Sequence, residues 1–172
     1  MALWNWNDST RWSFVIDTDT YAGNFERELC SFVVGHHDEY GDHRGGVYKA
    51  AFREQYADKD PFEGLIDYRV DDHGDDNIAR APMALAPTPG YENNGLGGVR
   101  KLEPGEIPNY PSYQSVAIFL CAKPTDEQLK ILIERALLFP TLPKNYEWDE
   151  RPMIIGLRLV EERTTLQSTV LA

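Results

Sequence analysis

Residues 115–122, SVAIFLCA, form an almost unbroken apolar run that leads through Pro124 into Thr125-Asp-Glu-Gln128. Such a run fits a central strand, covered on both faces or on one face plus a neighbour. Thr125 and Gln128 have the spacing of a capping box, and Leu129, Leu132, Ile133, Ala136 and Leu137 follow at helical intervals. The spacing predicts an amphipathic helix to about Leu138, ended by Pro140 and Pro143. MIIGLRLVEE, 153–162, then returns as a strand.

The amino-terminal half repeats this order. RWSFVIDT, 11–18, alternates Trp12, Phe14 and Ile16 with smaller or polar residues, the period of a half-buried strand. In YAGNFERELCSFVVG, Asn24 is the expected N-cap and Gly35 the C-cap, with Glu26 and Glu28 in the first turn. Phe25, Leu29, Phe32 and Val33 give that helix one apolar face. GLIDYRV, 64–70, reads as a strand. Two strand–helix–strand units predict a single α+β domain: a ferredoxin-like antiparallel sheet with helices on one face. A further helix, about Val47 to Ala57, and the segment 82–111 are then insertions. Six prolines and five glycines in the thirty residues 82–111 predict a long structured loop, packed down by Tyr91, Tyr110, Tyr113 and the MALA run.

Length and composition set the limits. A chain of 172 residues, 42% apolar and 12% aromatic, buries a core without disulfides or metal and lies outside the disordered regime. MALWNWND lacks the basic flank and apolar run of a signal peptide. No stretch nears the roughly 18 apolar residues of a membrane helix. A soluble protein of the cytoplasm is expected, with Cys30 and Cys121 as free thiols. Residues 1–76 hold 17 Asp and Glu against 7 Lys and Arg, a net of −10; residues 77–172 hold 11 against 10. Such a field repels nucleic acid and anionic lipid and attracts basic surfaces.

Three groups of residues are candidates for function. HHDEYGDHRGG, 36–46, and VDDHGDDN, 70–77, bring His36, His37, His43, Asp72 and His73 forward as ligands for a divalent metal. No spacing matches a metal motif such as HExxH or an EF-hand loop, so a solvated acidic edge is the first expectation and no cofactor is assigned. As an edge, Asp38, Glu39 and Asp42 with Asp71, Asp72, Asp75 and Asp76 would face a basic protein. Trp4 and Trp6 alternate in MALWNWN and would serve as docking anchors. PGYENNGLGG lacks a phosphate-loop motif, yet Tyr91, Asn93, Asn94, Arg100 and Lys101 supply an aromatic platform, amides and cations for a nucleotide. No nucleophile motif accompanies Cys30, Cys121 or the serines.

YAGNFERELCSFVVG and YPSYQSVAIFLCAKPTDEQLKILIERA, with VDDHG and GYENNG between them, resemble a family of small bacteriophage proteins. The resemblance implies an accessory gene product that acts by binding a host or phage macromolecule. The expectation is therefore an acidic, non-catalytic inhibitor of a defence or nucleic-acid-handling protein, a DNA mimic without direct nucleic-acid contact. A nucleotide- or metal-binding module (a sponge or phosphoesterase) and a virion component are the alternatives. Exposed aromatics leave a homodimer open.

Overall fold

The computed structural model describes residues 10–35, 60–70, 79–95, 98–141 and 151–163. Strand β1 is Thr10–Thr18, and a 3-10 turn, Ala22–Asn24, leads into helix α1, Glu26–Val34. Arg69–Val70 (β2) and Ala79–Arg80 (β3) pair as a minimal ribbon. Met83–Ala86 (β4) precedes a hairpin of Tyr91–Asn93 (β5) and Val99–Lys101 (β6). Ser115–Leu120 (β7), helix α2 (Asp126–Leu138), a 3-10 turn (Phe139–Thr141) and Ile154–Arg163 (β8) complete the described elements.

The main sheet runs β4-β7-β1-β8 with every pairing antiparallel. Taken with α1 and α2, that order is a ferredoxin-like plait in a single α+β domain. Register places Phe14 between Ile118 and Leu159, and Ile16 between Val116 and Leu157. These side chains join Leu29, Phe32, Val33, Leu132 and Ala136 of the helices in one core. Alternation sends Ser13, Val15 and Asp17 to the opposite face, beside Ala117, Ser115 and Arg158.

Several boundaries differ from expectation, each for a local reason. The second strand of the plait is β4, inside the proline-rich segment, and not GLIDYRV. Residues 61–65 form turns, Leu65 and the following Ile66 are buried, and Cys121 N–H donates to Leu65 O at 2.8 Å. Asn24 closes the 3-10 turn, while Phe25 stands at the head of α1 with no side-chain cap. Gly35 does end α1, with φ of 78° and its N–H donating to Ser31 O.

Helix α2 opens on the expected reciprocal bonds. Gln128 N–H donates to Thr125 Oγ1 at 3.2 Å, and Thr125 N–H to Gln128 Oε1 at 3.0 Å. Leu137, expected inward, is exposed; Arg135 is buried instead, its guanidinium 4.7 Å from the centre of the Phe32 ring. The second expected helix, 47–57, lies outside the described residues. No helix among the described residues is long and apolar enough to cross a membrane.

Candidate functional site

The five candidate ligand residues share the β5–β6 hairpin but divide between its sides. Cross-strand pairing sets Tyr91 opposite Lys101 and Glu92 opposite Arg100. Successive side chains of a strand alternate, so Arg100 faces away from Tyr91 and Lys101. Asn93 and Asn94 build the turn: Asn93 Oδ1 accepts from Gly95 N–H at 2.8 Å, and Asn94 Oδ1 from Gly98 N–H at 3.2 Å. Gly95, at φ of 79°, supplies the left-handed residue this bend requires.

Arg100 is a clamp. Its Nε donates to Glu92 Oε1 at 2.9 Å and its Nη2 to Glu106 Oε1 at 2.6 Å. Glu92 is buried, and its second oxygen accepts from Asn109 N–H at 3.0 Å. Asn93 N–H donates to Tyr110 O at 3.2 Å. The loop of residues 102–114 is thereby tied to the hairpin along both flanks, while Ile107 (83% exposed) and, against the packed-down expectation, Tyr110 (71% exposed) and Tyr113 are open to solvent. Exposed Glu103 and Glu106 stand beside them.

The clamp titrates. Bonds from Arg100 and from the Asn109 amide hold the Glu92 carboxyl below its ordinary value of 4.5. A carboxylate depressed in the fold contributes stability that is complete above its ordinary value and lost as pH falls through the depressed one. The Asn109 amide proton should therefore shift in an NMR pH titration with a midpoint below 4.5, and Glu92→Gln should abolish the transition. A midpoint at or above 4.5 would contradict the clamp.

A second polar cluster lies on the sheet face turned away from the helices. Asp17, on a central strand, accepts from Ser115 Oγ through Oδ1 and from Arg158 Nε through Oδ2 at 3.0 Å. Arg158 Nη2 also donates to Pro87 O at 3.0 Å, and Thr88 Oγ1 lies 2.7 Å from Ser115 Oγ. Arg158 thus fastens the loop after β4 to the sheet. Sequence reasoning passed over this cluster. Its only signal was an aspartate at a buried position of an apolar strand.

Two of the five hairpin residues, Tyr91 and Lys101, line a recess under the loop, together with Ser112 and several prolines. The histidine and acid candidates His36, His37, Asp38, Glu39, Asp42, His43, Asp71, Asp72, His73, Asp75 and Asp76, and the anchors Trp4 and Trp6, lie outside the described residues. Among the described residues no group of three His, Cys, Asp or Glu could hold a metal ion. Burial, and then the nearby Glu26, pushes the Cys30 thiol up to about 12, and burial raises Cys121 as well. Both stay protonated at neutral pH and are weak nucleophiles.

The fold and the clamped loop define a ferredoxin-like α+β domain, an architecture that hosts many unrelated functions. No protein-family model matches the chain, and no curated protein or solved structure matches it significantly.

Proposed function

We propose that this chain acts by binding. It is an acidic accessory protein of the bacteriophage type that engages a basic surface on a host or phage macromolecule in the host cytoplasm. There it inhibits a defence or nucleic-acid-handling protein as a DNA mimic. The observation that carries this reading is the net of −10 confined to residues 1–76. Duplex DNA carries one charge per roughly 1.7 Å of axis, and a surface shaped to receive it attracts a row of carboxylates. The contacts assigned are Asp38, Glu39, Asp42, Asp71, Asp72, Asp75 and Asp76, with Trp4 and Trp6 as anchors. The clamped loop supports the reading independently. Ile107 and Tyr110 offer an apolar tip beside carboxylates, and a tip already held in place loses little entropy on docking.

The test is affinity capture from host cells, followed by a salt titration of the captured protein. Binding should weaken steeply as salt rises towards about 0.5 M, and duplex DNA should compete. Changing the seven Asp and Glu contacts to Asn and Gln together should abolish it. Tight binding that ignores both salt and DNA would overturn the proposal.

A further inference from the structure

The recess beneath the loop spans about 830 Å³ and is half open to solvent. Small-molecule sites occupy ~300–1,000 Å³ and combine apolar walls with a few placed polar groups. Here the walls are pyrrolidine rings, Pro89, Pro104 and Pro108 among them, around Tyr91 and Lys101. Tyr91 and Lys101 are cross-strand partners, so ring and ammonium stand on one side of the hairpin. Ser112 adds a different kind of evidence. It is 1% exposed, and its hydroxyl has no hydrogen-bond partner among the described residues. Buried hydroxyls in folded proteins are nearly always paired; this one belongs to a lining residue, and a ligand reaches it only once the lining shifts to uncover it.

Charge narrows the ligand. Arg100, the neighbouring cation, is already engaged by Glu92 and Glu106. The lining then holds Lys101 with Glu103 and Glu106, a balance that disfavours polyanions. Flat apolar walls and a tyrosine ring favour a planar aromatic, because every heteroaromatic base has a face on which to stack. A serine hydroxyl, both donor and acceptor, favours a polar ring edge. We propose that this recess binds a planar heteroaromatic of little or no net charge, a nucleobase or nucleoside, stacked on Tyr91 with its polar edge on Ser112. The proposal stands apart from the acidic-surface reading and survives its failure.

The experiment titrates the full chain with adenosine, guanosine, cytidine and uridine, and with the matching triphosphates, by NMR and calorimetry. At least one nucleoside should move the Tyr91, Lys101 and Ser112 resonances, with its triphosphate binding about tenfold more weakly. Tyr91→Ala should weaken binding about tenfold or more. Tyr91→Leu, which keeps bulk without the aromatic face, should do the same if the alanine variant fails to fold. Ser112→Ala should weaken binding about fivefold while leaving the melting temperature unchanged or higher, because it removes an unsatisfied buried group. Resonances that stay still at about 5 mM of every nucleoside would overturn the proposal, since that concentration detects even millimolar affinity. So would affinity unaffected by the Tyr91 and Ser112 substitutions.

Discussion

Phe14→Ala should lower the unfolding free energy by about 4 kcal/mol, read as a fall in the urea midpoint with little change in slope. Phe14 is 1% exposed on a central strand, set between Ile118 and Leu159 and inside the cluster that both helices complete. Truncation removes an entire ring from between two paired strands, so the cavity closes only partly. For a domain of this size the melting temperature should fall by roughly 10 °C. Ser13→Ala provides the contrast. Ser13, next to Phe14 on the strand, faces away from the helices, and the change should stay within about 0.5 kcal/mol. Equal losses at both positions would mean that the two faces of β1 are not differentiated as the register requires.

That contrast follows from what the sequence made readable. The alternation of Trp12, Phe14 and Ile16, the almost unbroken apolar run at 115–120 and the Thr125–Gln128 box are each signals strong enough to survive into the fold. Strand β4 carries none. MALA is four residues between Pro82 and Pro87, rich in alanine, and only its pairing with β7 makes it a strand. GLIDYRV has the composition of a strand, but Leu65 is buried at the end of a turn with Ile66 just after it, and only Arg69–Val70 pairs as a strand. Helical spacing placed Leu137 inward, whereas packing against Phe32 put Arg135 there, and periodicity does not distinguish adjacent rows of a helix.

The candidate ligand residues were legible as a set but not as an arrangement. Tyr91 and Lys101 meet because they pair across a hairpin. Arg100, one residue from Lys101, faces the other way and finds Glu92 and Glu106. Composition identifies an aromatic, two amides and two cations; the two-residue period of a strand then separates them. Ser112 gave no signal at all. A serine in a proline-rich stretch reads as turn chemistry until its burial is known.

The node at Asp17 bears on the recess from the other side. Asp17→Ala should destabilise the fold by about 3 kcal/mol, towards the lower end of what breaking a buried ion pair costs, because Arg158 keeps some contact with solvent. Three donor contacts lose their acceptor: Ser115 Oγ, Arg158 Nε and Arg158 Nη2. Gly156 lies directly opposite Asp17 in β8, and a Cβ there would sit 3.2 Å from Asp17 Oδ2, so the strand leaves room for the carboxylate. The consequence should also be local. Ser115 meets Thr88, whose N–H donates to Ser112 O at 2.7 Å, and Arg158 holds Pro87. Hydrogen exchange at the Thr88 amide should therefore quicken by more than global destabilisation explains, while the Arg100 clamp across the loop keeps its protection. Asp17→Ala combined with Arg158→Ala should cost about 1 kcal/mol or more less than the two single changes added together, since each alone strands the other. Additive losses, or Thr88 exchange no faster than the global rate, would show that Asp17 does not fasten the loop to the sheet.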